Sequence, residues 1–305
     1  NFTNFTNFTN FTNFTNFTVS VKNEIEKLFH EGNILTKLIL VNVLVWVAVN
    51  LTLLALFLFN ISGNVSDEFI GWFAVPARVS SLLFKPWTLI TYMFLHESFI
   101  HILFNMLWLY WFGKIFLEYL GSKQFLGAYI LGGISGALLY IASFNIFPVF
   151  SEALPLSYAL GASASVLAIV IAISTYIPNF SLHLLFIGPV KLKYIAIITV
   201  LLDLLSIKDG NAGGHIAHLG GAIFGFYFTR TLQNGYDLTK GFNKILESCA
   251  SYFYKSGSNL HVSYSKGRQK GMSKPDAEYN YEKKARQQEI DGILDKISKS
   301  GYASL

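Results

Sequence analysis

Long apolar runs alternate with short polar segments through the middle of the chain. Crossing a bilayer as a helix takes roughly 20 mainly apolar residues. Six segments fit that reading: about Ile34 to Phe59, His101 to Tyr119, Phe125 to Phe147, Leu160 to Ile177, Tyr194 to Ile207 and Gly214 to Thr231. The last three are short or carry Gly, Ser and His, so their ends are the least defined. Backbone polar groups in lipid must pair within their own segment, which makes helices the natural reading. The expected fold is therefore all-α: a polytopic bundle of six transmembrane helices. The first run is too long for the apolar core of a signal peptide, and no small-residue cleavage site follows it.

Composition supports a membrane domain with polar ends. Of 305 residues, 52% are hydrophobic and 13% charged, against about 25% charged in soluble domains. Of the 23 Lys and Arg, 13 follow Gly225. The expected organisation is a low-complexity and cytoplasmic segment at 1–33, the membrane domain at 34–232, and a basic linker with a short helix at 233–305. Lys and Arg also set orientation. Lys114 and Lys123 flank the turn between spans two and three, and Lys191 and Lys193 lie between spans four and five. The connection between spans three and four has neither residue. Both termini are expected on the cytoplasmic side. Arg78 and Lys85, in the outward loop from Asn60 to Leu95, are exceptions to the rule.

The ends carry little chemistry. Residues 1–18 are six copies of Asn-Phe-Thr, a period of three that matches no heptad or solenoid. Each copy has the form of an N-glycosylation acceptor, but the predicted cytoplasmic side excludes that modification. The chain begins without Met, as expected of a fragment. Residues 255–275 read as a Gly/Ser/Lys-rich linker. From about 277 to 298, Ile290, Ile293, Leu294 and Ile297 fall on one helical stripe. A single cysteine, Cys249, excludes an internal disulfide and a Cys-based zinc site.

Polar residues inside membrane spans are costly and point to function. Three clusters qualify: His96 to Asn105 at the start of span two, Gly161 to Ser165 at the start of span four, and Gly213 to Gly221 at the start of span six. With cytoplasmic termini, those three spans all run inward, so the clusters share one layer below the outer face. A serine hydroxyl needs a base to become a nucleophile, and neutral histidine suits that role near neutral pH. An oxyanion also needs donors. His101 and Asn105, four residues apart, share one face of span two. Spans four and six carry no Asp or Glu in their outer turns, so a Ser–His dyad is expected rather than a triad. Gly161 is expected to thin span four beside Ser163. Gly221 and Gly225 form a small-xxx-small pair, and His218 lies on their face of span six.

These residues resemble the rhomboid family of intramembrane serine proteases. The resemblance rests on His96, His101 and Asn105, on Gly161-Ala162-Ser163, on Ala217-His218 with Gly221 and Gly225, and on Trp87 nine residues before His96. It covers about Trp87 to Gly225. It implies Ser163 as nucleophile and His218 as base, with His101, Asn105 and the Ser163 amide lining an oxyanion hole. It also implies that membrane-spanning helices of other proteins are cut near their outer ends. No cofactor, metal or nucleic acid is implied, and the bilayer is the expected surrounding. Three positions depart from the family pattern: Ala164 follows the nucleophile in place of Gly, Thr88 follows Trp87 in place of Arg, and Leu167 replaces an aromatic residue that stacks on the histidine. The last leaves His218 less firmly oriented. The tail from Lys283 resembles that of some bacterial rhomboids, and stops short of it; the membrane this resemblance implies is a bacterial inner membrane.

Rivals stand beside these assignments. Ser165 points about 200° away from Ser163 on a helix, and is expected to bond a backbone carbonyl. His215 lies one turn from His218 on a similar face, and motif context, not geometry, favours His218. On a helix, His96 and His101 would be splayed about 140° apart, with His96 either behind the site residues or at the rim. Neither forms the His-Glu-x-x-His zinc arrangement. Asp203, in span five, is either paired or a marker of the span's outer end. An inactive relative that escorts membrane proteins, and a small-solute transporter, are the alternative functions; the transporter lacks the expected internal repeat.

Overall fold

The computed structural model describes residues 31–61, 65–184 and 188–254, together with Glu26 and Leu28. The Asn-Phe-Thr repeat, the linker at 255–275 and the helix expected at 277–298 lie outside the described residues. One compact unit runs to Phe253.

Each of the six expected spans is a helix. Helix α1 (Ile34–Leu58) begins at Asn33, whose side chain accepts from the Thr36 amide, as a good N-cap does. At 1.5 Å per residue it is about 37 Å long, enough to cross a bilayer. Its buried residues, Leu35, Leu38 and Asn42, lie in the first turns, with Trp46 packed on the core just beyond them; most of the rest presents apolar side chains outward, as a lipid-facing helix does. A loop with two short helices, α2 (Val65–Gly71) and α3 (Val79–Phe84), and a further turn, α4 (Thr88–Thr91), leads to α5 (Phe99–Tyr119). Helix α6 spans Ser122–Ile146. Helices α1, α5 and α6 are long and apolar enough to cross a membrane.

The other three spans differ in kind. Helix α7 (Ser163–Tyr176) has 14 residues, about 21 Å, less than the roughly 30 Å hydrocarbon thickness. It is buried continuously from Ala164 to Ser174, so protein, not lipid, surrounds it. Helix α8 (Leu192–Ser206) buries only Leu192, Ile195 and Asp203. Helix α9 (Ala212–Gln233) starts at Asn211, which adopts a left-handed conformation and caps the Gly214 amide. Helix α10 (Thr239–Tyr254) follows, tied to the start of α6 by the Lys123–Glu247 ion pair and by Asn243 donating to the Lys123 carbonyl.

The core is the trio α6, α7 and α9, and small residues make it possible. A Cβ at Gly132 would come within 2.3 Å of the Ala168 side chain, and one at Gly136 within 2.7 Å of the Ala217 carbonyl. On α9, a Cβ at Gly221 would lie 2.1 Å from the Ala164 carbonyl, and one at Gly225 2.3 Å from that of Ala168. Backbones this close leave no room for side chains, the packing typical of helices that associate in lipid.

Two small antiparallel ladders complete the fold. Strand β1 (Val75–Pro76) pairs with β2 (Tyr158–Ala159), joining the first long loop to the segment entering α7. Strands β3 (Ser181–Leu184) and β4 (Gly188–Lys191) form a hairpin before α8.

Candidate active site

Ser163 is the first residue of α7. The chain reaches it through β2 and a bond from the Gly161 amide to the Tyr92 carbonyl at 2.9 Å. Gly161 therefore precedes the helix, and the expectation that it thins span four is corrected. Its φ is +128°, a region that disfavours side chains. A Cβ there would also sit 3.0 Å from His101 Cε1 and 3.5 Å from Ser163 Oγ. Gly161 makes the turn that brings the serine up to His101. The N-cap of α7 is Ala162, which offers no side-chain acceptor, so the first amides of the helix keep their hydrogens uncapped by it.

Ser163, His101, Asn105, Asp203 and His218 all line one cavity of about 400 Å³. His101 and Asn105 project from the first turns of α5, whose N-cap Ser98 accepts from the His101 amide. Asn105 Nδ2 donates to the His101 carbonyl at 2.9 Å, which engages one amide hydrogen and leaves the other. His218 stands on α9, three residues before Gly221 and its close contact with α7.

Asp203, open from sequence as paired or as a marker of its span's end, is paired. Asp203 Oδ1 lies 2.8 Å from His218 Nδ1 and 2.9 Å from His215 Nδ1. It comes from α8, which lies in sequence between the helices that carry Ser163 and His218. Asp203 is 7% exposed; a buried carboxylate is tolerable because both histidines face it. A carboxylate only accepts, so each neutral ring places its hydrogen on Nδ1 and leaves Nε2 as an acceptor. His218 is thus held by Asp203, and the missing aromatic at Leu167 does not leave it loose. The signal was readable: a lone acid inside an apolar span is a functional marker by default. His215 shares the carboxylate, yet it is not among the described residues lining the cavity.

Two other expectations are corrected. His96 and His101 do not splay, because the helix starts only at Phe99; their rings meet edge to face at 5.1 Å. His96 is buried behind His101, the first of its two expected places and not the rim. Burial, with His101 beside it, lowers its pKa to about 4. Ser165 is fully buried, and its hydroxyl has no hydrogen-bond partner among the described residues, so the expected carbonyl bond is not made. Its Oγ packs where a Cβ on Gly133 would stand.

A helical membrane bundle with a serine, a histidine and a carboxylate on one largely apolar cavity defines the class: an integral membrane protein with a cluster of polar groups inside its bundle. Residues 83–234 match the rhomboid domain, and the chain belongs to the rhomboid family. Over 138 residues it is 31% identical to the presenilin-associated rhomboid-like protein A, mitochondrial, of Danio rerio, which covers 44% of this chain and 34% of that protein. The RHOMBOID-like protein 12, mitochondrial, of Arabidopsis thaliana is 32% identical over 144 residues, 44% of this chain and 43% of its own. The presenilin-associated rhomboid-like protein, mitochondrial, of Mus musculus is 30% identical over 156 residues, 49% and 38%. The chain thus spans less than half the length of these relatives. Residues 275–305, outside the described region, match a family of unknown function (DUF6576).

Proposed function

We propose that this chain is an intramembrane serine endopeptidase that cleaves membrane-spanning segments of other proteins near their outer ends. The observation that carries this reading is the 2.8 Å contact of His218 Nδ1 with Asp203, on the cavity that Ser163 also lines. With its hydrogen on Nδ1, His218 offers Nε2 to take the proton from Ser163 Oγ as the hydroxyl attacks a peptide carbonyl. Asp203 holds the tautomer and stabilises the cationic ring that forms, without taking the proton itself. The carbonyl oxygen becomes an oxyanion. Donors for it are the first amides of α7, whose helix dipole favours negative charge, and the side chains of His101 and Asn105. His218 then protonates the leaving amine, and water repeats the sequence on the acyl-serine. The short α7 starts well inside the bundle, and polar groups at that depth suit a water-filled cavity.

Gly221 and Gly225 serve this site by letting backbones approach, and Gly161 by making the turn that carries Ser163 to His101. The substrate must present an extended peptide, so helix-weakening Gly or Pro near its cleavage point favours turnover. The catalytic unit we propose is residues 34–232, with 233–305 as a cytoplasmic extension. The mitochondrial names of the relatives lend no support to a bacterial inner membrane. The distribution of Lys and Arg supports an orientation with both termini on one, cytoplasmic-type side.

The test is cleavage of a single-span protein reconstituted with the chain in liposomes. Ser163→Ala and His218→Ala should each abolish cleavage, with the wild-type cut mapped to the outer part of the span. Cleavage that survives either substitution would overturn the proposal.

A further inference from the structure

We propose that Asp203, His215 and His218 form a binding site for a divalent transition-metal ion, with Zn²⁺ as the best fit, and that occupancy switches the protease off. The donor atoms, one from each residue, lie within 4.8 Å of one another. They come from two helices, α8 and α9, so the ion would clasp one to the other. Two imidazoles and a carboxylate are the donor set of many three-residue zinc sites, which keep a fourth position for water. Imidazole nitrogen also selects zinc, copper or nickel over magnesium or calcium. Side chains of His215 and His218 are 25% and 24% exposed, and Asp203 and His218 open on the cavity, which gives the ion a path and its fourth ligand a place.

Spacing is compatible with modest adjustment. The present separations, 2.8 and 2.9 Å, are those of hydrogen bonds. Tetrahedral zinc with ligands at about 2.0–2.1 Å sets neighbouring donors about 3.3 Å apart. Each histidine therefore backs away from the carboxylate by about 0.5 Å, while the two imidazole nitrogens, within 4.8 Å of each other, settle at the same tetrahedral spacing. Helix α8 buries only three residues, which makes it the side able to yield.

Inhibition follows from which nitrogen is taken. Metal on Nδ1 of His218 occupies the lone pair exposed when that hydrogen leaves. The ring keeps one proton, which moves through water from Nδ1 to Nε2, so no net proton is lost. Nε2 then carries hydrogen and can no longer accept from Ser163. Zinc also takes the Asp203 oxygen that supports the ring. The inhibitory half of this proposal rests on the protease reading; the binding half does not.

Two readouts on the purified full chain in detergent keep these halves apart. Co²⁺ alone, as a spectroscopic substitute for zinc, should give a visible absorption band at one ion per chain. The band should be lost in His215→Ala and in Asp203→Asn, with affinity falling at least about tenfold. Labelling of Ser163 by a fluorophosphonate should drop at least about tenfold when Zn²⁺ fills the site and return with chelator. His215→Ala should label without metal and go on labelling at the same zinc concentration. A wild-type chain without the cobalt band, or a band untouched by both substitutions, overturns the site. Cobalt binding with zinc-insensitive labelling overturns the switch. Binding with no labelling under any condition instead counts against the protease reading and leaves the site standing.

Discussion

Helices α7 and α8 each deliver one group to the cavity, and they are held in opposite ways. Helix α7 is buried at every position from Ala164 to Ser174 and meets α6 and α9 through backbone-close contacts at Gly132, Gly136, Gly221 and Gly225. Helix α8 buries Leu192, Ile195 and Asp203 alone, and Ile197, Ile198, Leu201, Leu204 and Leu205 face outward. Ser163 thus sits in the most constrained part of the bundle. The carboxylate sits on a peripheral helix, and its bonds to His215 and His218 anchor that helix to α9. Precision at Ser163 comes from packing, whereas precision at Asp203 comes from hydrogen bonds.

Breaking the packed side should have the largest effect. Gly221→Val drives a side chain into the Ala164 carbonyl, which lies 2.1 Å from even a Cβ. We expect a loss on the order of 3 kcal/mol or more, seen as failure to recover a monodisperse folded protein. An equally large change on the outer side of α8, Leu204→Ala, should shift stability by no more than about 0.5 kcal/mol in a thermal melt. If the two substitutions behaved alike, the contrast between the helices would be wrong.

The hydrogen-bonded side should break chemically rather than structurally. Asp203→Asn keeps the shape but can offer His218 an N–H, which favours the wrong tautomer. The expected result is a fall of about a hundredfold or more in kcat, with KM changed far less and the protein still folded. Equal losses in KM and kcat, or a collapse of the melting temperature, would assign Asp203 a structural role.

A smaller, pH-dependent effect belongs to the buried face of the site. His96 is neutral in the folded protein down to about pH 4 and would titrate at its ordinary 6.5 when unfolded. Between those values the unfolded chain binds more protons, so stability is full above 6.5 and declines as pH falls toward 4. The magnitude is on the order of 2 to 3 kcal/mol. His96→Leu should flatten the difference in melting temperature between pH 7.5 and 5; an unchanged difference would place the titrating group elsewhere.

Much of the fold was legible because it rests on long apolar runs. The helix ends at Ile34, Tyr119 and Ile146 lie within a residue of expectation. What escaped depends on where a helix begins. Gly161 and His96 were read as helical, but α7 starts at Ser163 and α5 at Phe99, and both residues gain their roles from being outside. Asp203 escaped for another reason. Its partners lie 12 and 15 residues away on a different helix, and no local spacing records that meeting. The β1–β2 ladder, two residues per strand, is too short to leave a pattern.

The nucleophile we propose is Ser163, activated by His218. Fluorophosphonate labelling of the purified chain, with the modified residue mapped by mass spectrometry, tests that role without a substrate. The expected result is a single adduct on Ser163, absent in Ser163→Ala and in His218→Ala and retained in Ser165→Ala. An adduct on Ser165, or labelling of Ser163 that depends on His215 and not on His218, would contradict it.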